Sequence, residues 1–268
     1  MKELGQRIIV SVIFIPFLVL ALYFEGTPLL LMFLMLSIFG AQEYICMMRK
    51  AEIKIAWPWF GLYPLLYTMF VFFPEHAMHI IWLGVFIALI EPLVYWHEDK
   101  SVPRLMAIVF GLIYTALMPA MIVNISRQYQ PKKILLALIL MIWIVDTVAY
   151  FVGMRFGKKR NITPVSPKKS REGFIAGGLA PFVILFILYV SGFSAIPMLQ
   201  MALIAIAAGI FGQIGDLLES MLKRFCKVKD SSRLIPGHGG MLDRTDSILL
   251  AGSFLYAALA VLGKAWLR

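Results

Sequence analysis

Apolar runs of about twenty residues follow one another almost without pause along this 268-residue chain. A helix rises about 1.5 Å per residue, so each run matches the roughly 30 Å hydrocarbon core of a bilayer. Nine candidate spans can be read, near residues 8–24, 28–48, 57–73, 77–96, 105–123, 133–154, 174–191, 197–219 and 247–264. Strands would have to close into a barrel to satisfy their backbone in lipid, and these runs lack the alternation that a barrel needs. The expected fold class is therefore an all-α polytopic integral membrane protein with about nine transmembrane helices. Lys2 and Arg7 precede the first run as they would in a signal peptide. No small-x-small cleavage site follows, and ALYFEG leads straight into the second run, so the first run is read as a retained helix.

Basic residues set the orientation, because Lys and Arg accumulate in cytosolic loops. With the N-terminus cytosolic, only Arg127, Lys132, Lys133, Lys264 and Arg268 of the 25 Lys and Arg fall outside. The C-terminus is then expected outside. Cys46 and Cys226 fall on the reducing, cytosolic side, so a structural disulfide is not expected and both are read as inert. The formal net charge of +10 is concentrated in juxtamembrane loops, and no nucleic-acid partner is expected.

A charged side chain at the centre of a span costs roughly 2.5–3.5 kcal/mol on insertion scales, so each one calls for a reason. The candidates are Glu43, Glu91, Asp146, Asp216 and Glu219. All lie late in spans that run outside to inside, which gathers them in the cytosolic half. Transporters place their polar sites near the midplane, so this distribution argues against one. Glu43 and Glu91 are read as helix-end residues. Asp216, Ser220 and Lys223 stand at i, i+4 and i+7, one polar stripe on an otherwise apolar helix.

Two loops hold most of the remaining charge. KVKDSSRLIPGHGGMLDRTDS, from Lys227 to Ser247, is polar in a chain that is 61% hydrophobic. Asp243 and Asp246 share a helix face if the last helix begins near Asp243. With Asp216 they offer hard oxygen donors suited to Mg²⁺ and substrate phosphates, and no Cys/His pattern points to zinc. Gly237, Gly239 and Gly240 would let backbone N–H groups approach a phosphate. Around them stand Lys223, Arg224, Lys229, Arg233 and Arg244. RFGKKRNITPVSPKKSREG repeats the theme, with Lys168, Lys169 and Arg171 at headgroup depth before a span. If the acceptor is a lipid phosphate, with a second pKa near ~6, it is mostly ionised at neutral pH and His238 is not needed as a base. A salt-bridge network and a plain turn remain the alternatives for these charges and glycines.

SMLKRFCKVKDSSRLIPGHGGMLDRTD, from Ser220 onward, resembles the signature of the phosphatidate cytidylyltransferase (CDP-diacylglycerol synthase) family of bacterial membranes. The likeness rests on Ser220, Lys223, Arg224, Lys229, Asp230, Pro236, His238, Gly239, Gly240, Asp243, Arg244 and Asp246. DTVAYFVGMRFGKK (Asp146 to Lys159) and SPKKSREG (Ser166 to Gly173) are similar to further family segments, with Ser170 where threonine is commoner. The resemblance covers the chain from about residue 140. It implies transfer of a cytidylyl group from CTP to phosphatidate, giving CDP-diacylglycerol and pyrophosphate for phospholipid synthesis.

It further implies Mg²⁺, with a second cation as an option, held by Asp216, Asp243 and Asp246, with Asp146 as an additional candidate. Asp216, Asp243, Asp246, Lys223 and Arg244 are the implied catalytic set. Ser220, Arg224, Lys229, Asp230, His238, Gly239 and Gly240 would bind nucleotide, and Lys168 and Lys169 the lipid phosphate. The expected location is the bacterial cytoplasmic (inner) membrane, with the active site on the cytosolic face. Residues 131–268 form the expected catalytic region with loops 155–173 and 220–246, and residues 1–130 a wall or the surface of a homodimer. A CDP-alcohol phosphotransferase should carry a DGxxAR-type run, and none is present. A CTP-using enzyme acting on an isoprenoid phosphate stays open on the headgroup residues alone.

Overall fold

The computed structural model describes residue 12 and residues 16–129, 133–158, 163–235, 237 and 239–266. Among the described residues there are nine helices and no strand, only a single bridge between Ile235 and Gly239. They are α1 (16–24), α2 (Gly26–Lys50), α3 (Trp59–Phe72), α4 (Ala77–Val94), α5 (Ser101–Gln128), α6 (Ile134–Phe156), α7 (Arg171–Val190), α8 (Met198–Phe225) and α9 (Leu242–Trp266). Seven of them, α2 and α4–α9, are long and apolar enough to cross a membrane. The run at 57–73 forms the shorter α3, 14 residues long with Pro64 inside it, and the run at 8–24 lies partly outside the described residues.

The largest boundary differences flank the signature loop. Helix α8 continues to Phe225 and α9 starts at Leu242, so the loop proper is shorter than the polar stretch. Hydropathy marks where a helix leaves the apolar layer, whereas the helix itself continues on an amphipathic face. Asp216, Ser220, Lys223 and Arg224 are consequently all helical.

The chain divides into two compact units. The first joins residues 1–124 with 222–244, and the second joins 125–221 with 245–268. The N-terminal helices therefore share a unit with the signature loop.

In the first unit, buried tyrosines tie α2 and α3 to α5. The Tyr44 hydroxyl donates to the Ala107 carbonyl (2.6 Å) and the Tyr63 hydroxyl to Ile108 (3.0 Å). Gly111 leaves room for both rings, since a Cβ there would lie 2.5 Å from the Tyr63 Oη. A π-turn over Ile113–Leu117 breaks the regular ladder of α5, and Ser37 on α2 donates to the carbonyl of Thr115 within it (2.6 Å). Asn124 closes the far end by donating to the Phe70 carbonyl (3.0 Å). Each of these four buried donors thus meets a carbonyl, which offsets the cost of burying it.

In the second unit α6 and α7 meet backbone to backbone through small residues. A Cβ on Gly177 would lie 2.9 Å from that of Ala149, and one on Gly173 2.5 Å from the Ala149 carbonyl. Such contacts replace the hydrophobic drive that is missing between helices in lipid. Ser170 starts α7 as its N-cap, accepting from Gly173 N at 3.1 Å. A second π-turn, Ala207–Gly212, interrupts α8 one turn before Asp216, and Phe211 within it stacks on Phe254 of α9 at 3.8 Å between centroids.

Candidate active site

The site residues fall into two clusters, one in each unit. In the second unit a cavity of about 380 Å³ is lined by Asp146, Tyr150, Lys168, Lys169, Gln213 and Asp216, among others. Asp146 comes from the second half of α6, Asp216 from α8, and the lysines from the segment before α7. Lys169 Nζ donates to Asp216 Oδ2. The Ser220 hydroxyl lies 3.5 Å from Asp216 Oδ1, one helical turn away, as the i, i+4 stripe predicts. Lys168 is exposed, and Glu219 is fully buried. Asp246, near the start of α9, accepts from Ser247 N (2.6 Å).

The first unit holds the loop. Helix α8 ends with Lys227 in the left-handed region (φ 55°), while Val228 N donates back to the Lys223 carbonyl at 2.9 Å. Lys223 donates to Asp243 Oδ1 at 2.6 Å, and the two side chains are only 13% and 6% exposed. Asp243 Oδ2 accepts from Ser231 N (2.8 Å), Ser231 Oγ (2.9 Å) and Gly240 N (2.8 Å). Both Asp243 oxygens are thus met by donors of this chain, an arrangement that holds its anionic form. Arg224, Lys229, Asp230 and Arg244 lie exposed around this core. His238 and Pro236 lie outside the described residues, as do Lys159 and Arg160.

Three sequence expectations are redrawn here. Lys223 extends the stripe of Asp216 and Ser220 along α8, but its ammonium is committed to Asp243. Gly240, read as a phosphate-approaching glycine, spends its N–H on Asp243. A Cβ on it would also lie 1.9 Å from Ser231 Oγ and 2.6 Å from both Glu43 carboxylate oxygens, so the absence of a side chain serves the loop's own packing. Gly239 (φ 87°) keeps its place in the turn, where Ile235 N donates to its carbonyl at 2.9 Å. Third, Glu43 does more than end a helix. It is 4% exposed and accepts from the loop at four atoms. Glu91 behaves as expected of a helix-end residue, accepting from Ala56 N (3.1 Å) and Trp59 Nε1 (2.8 Å) beside Arg104.

Sequence reasoning missed Ser231 and Ser232 and gave Glu43 only a helix-end role. A lone Glu late in an apolar run signals some polar partner, but nothing in one sequence says that the partner lies 188 positions away.

No three His, Cys, Asp or Glu side chains among the described residues are grouped as a metal site. The donor chemistry nevertheless fits a hard cation. Asp146 and Asp216 open into one cavity, Asp216 and Asp243 each carry a lysine ammonium where a positive charge is required, and every donor is oxygen.

Comparison with known proteins bears on this constellation. The pattern described as the cytidylyltransferase family matches residues 5–262. The chain belongs to the cytidylyltransferase family. A phosphatidate cytidylyltransferase of Thermotoga maritima is 30% identical over 269 residues, 98% of each chain. One from Staphylococcus haemolyticus is 32% identical over 264 residues, 90% of this chain and 92% of its own. One from Bacillus subtilis is 45% identical over 120 residues, a segment spanning 45% of either chain. Family likeness therefore extends through the N-terminal helices, which the signature reading from about residue 140 did not reach.

Proposed function

We propose that this protein transfers the cytidylyl group of CTP to phosphatidate, releasing pyrophosphate and CDP-diacylglycerol. The relatives' shared name supplies the substrate pair. The observation in the molecule that carries the reading is the cavity where Lys168 and Lys169 share walls with Asp146 and Asp216. Acids that can hold a cation and bases that can hold phosphate oxygens in one cavity are what phosphoryl chemistry requires.

A phosphate oxygen of phosphatidate attacks the α-phosphorus of CTP. That O–P bond forms as the bond from the α-phosphorus to the bridging oxygen breaks, and pyrophosphate leaves with the electron pair. The nucleophile is already ionised, so no base on the chain is needed. Lys168 and Lys169 bind the lipid phosphate, Lys169 exchanging its bond to Asp216 for one to the substrate. Arg224, Lys229 and Arg244 bind the triphosphate, Lys223 neutralises and orients Asp243, and Asp230, His238 and the Gly239–Gly240 turn shape the nucleotide's surroundings.

The carboxylates of the second unit that could hold Mg²⁺ are Asp146, Asp216 and Asp246; Asp243, in the first unit, is a separate candidate. When bound, the ion neutralises charge on the phosphate oxygens, alone or with a second cation. This chemistry would then take place on the cytosolic face of a bacterial inner membrane, with the N-terminus inside and about nine crossings, a reading that the distribution of Lys and Arg supports. Residues 1–124 then serve as more than a wall or dimer surface, since Glu43 holds the loop.

Pyrophosphate release by detergent-purified protein tests the proposal, with phosphatidate and each of the four NTPs, with and without Mg²⁺. Release with CTP that requires both lipid and Mg²⁺ is the expected result. Release without lipid, or with an isoprenoid phosphate in preference to phosphatidate, would overturn the substrate assignment.

A further inference from the structure

Glu43 sits on α2, far in sequence from the loop it contacts. Its Oε1 accepts from Ser232 Oγ (2.6 Å) and Met241 N (2.8 Å), and its Oε2 from Ser231 Oγ (2.9 Å) and Leu242 N (3.0 Å). The N–H groups at the start of a helix have no partner within it. Glu43 supplies that partner for α9 and places a negative charge at the positive end of its dipole. Gly40, one turn earlier on α2, leaves the space that the Leu242 side chain occupies, since a Cβ there would lie 3.1 Å from Leu242 Cδ2.

Ser231 links Glu43 to Asp243. Its hydroxyl lies 2.9 Å from Glu43 Oε2 and 2.9 Å from Asp243 Oδ2. A hydroxyl has one hydrogen, so it can donate to only one ionised carboxylate at a time. When it turns to Glu43, one lone pair of Asp243 Oδ2 is freed and no donor is stranded. When it turns to Asp243, Glu43 still holds three other donors. Asp243 meanwhile keeps the N–H groups of Ser231 and Gly240, which fix its rotamer.

We infer that Glu43 is a positioning residue for the reaction, fixing the head of α9 directly and, through the Ser231 hydroxyl, setting which lone pair Asp243 presents. This rests on the proposed function. Glu43 touches no reacting atom in this scheme; it acts by orientation, where misplacement by about an ångström can lower a rate about 100-fold.

Glu43→Gln keeps the shape but sets an amide N–H₂ among four donors, and Glu43→Asp keeps the charge on a shorter stem. Steady-state kinetics with CTP and phosphatidate should show kcat lowered about 10- to 100-fold in Glu43→Gln, with both KM values nearly unchanged. Glu43→Asp should fall between that and wild type. Hydrogen exchange should show faster exchange of the Met241 and Leu242 amides in both variants.

In a Ser231→Ala background the loss of kcat from Glu43→Gln should shrink, because the shared hydroxyl is already gone. An unchanged kcat in folded Glu43→Gln or Glu43→Asp protein overturns the positioning role. Equal losses with and without Ser231 overturn the route through its hydroxyl. Wild-type protein that makes no CDP-lipid refutes the proposed function instead. Amide exchange then decides for Glu43 on its own: unchanged protection of residues 241–242 overturns the inference, and lost protection upholds it.

Discussion

Replacing Asp243 by Asn leaves the side chain's shape intact and removes the charge that Lys223 answers. The asparagine carbonyl can still accept from Ser231 N and Gly240 N, which reach Oδ2 at 2.8 Å each. Its amide must then face Lys223 Nζ, which stands 2.6 Å from Oδ1, donor against donor. With Lys223 only 13% exposed, its ammonium is left largely desolvated and loses the charge of Asp243. Breaking one side of such a pair costs about 3–5 kcal/mol, whereas removing both partners is often close to neutral. At roughly 2–4 °C per kcal/mol for a chain of this size, Asp243→Asn should lower the thermal midpoint by about 6–20 °C.

Lys223→Met should lower it comparably, because Asp243 then keeps a buried charge. The double variant should recover most of the loss, so the two single losses should be far from additive. Fluorescence-detected thermal melts in detergent measure all four proteins, and pyrophosphate release measures their activity. The double variant should be stable and inactive, which separates the structural pair from the chemical role. Additive losses in the double variant would refute the claim that these two groups neutralise each other in the folded protein.

Gly240→Ala should abolish pyrophosphate release, because its Cβ would fall 1.9 Å from Ser231 Oγ and 2.6 Å from both Glu43 oxygens; wild-type activity in that variant would mean the loop repacks freely. Ser170→Ala should cost about 1 kcal/mol through the lost cap on Gly173 N, while Ser170→Thr should be neutral, both read by thermal melts. Cys226 is fully buried, and burial pushes its thiol up to about 11, against a smaller opposing effect of Lys50. Thiolate therefore stays scarce until pH approaches that value, so maleimide at pH 7.5 should leave Cys226 unmodified in folded protein and label it after denaturation.

Much of this architecture was legible because lipid enforces a single period and length. Seven of the nine apolar runs coincide with helices long enough to cross a membrane, and Asp216 and Ser220 meet as their spacing requires. Apolar runs stop short of the helices where polar residues extend a helix beyond the apolar layer, after residue 219 and before residue 247, and there the spacing of polar residues rather than hydropathy marked Lys223 and Asp243 as helical. Pairing was the larger gap. Residue type singled out Lys169, Asp216, Lys223 and Asp243 as candidates, but not which lysine answers which acid. Gly240 looked like a phosphate contact because glycine reports only that space is needed, and here the space holds Glu43 and Ser231.

The tie between Glu43 and the loop also has a consequence for synthesis. The donors that satisfy Glu43 are made 188 to 199 residues after it. At about 5–20 residues per second, translation takes roughly 10–40 s to deliver them. Through that interval the nascent α2 carries a carboxylate with no helix head to receive it, and an isolated charge resists entering hydrocarbon. The Glu43 end of α2 must therefore stay in contact with water until the head of α9 is made, so a unit begun early in synthesis is closed late.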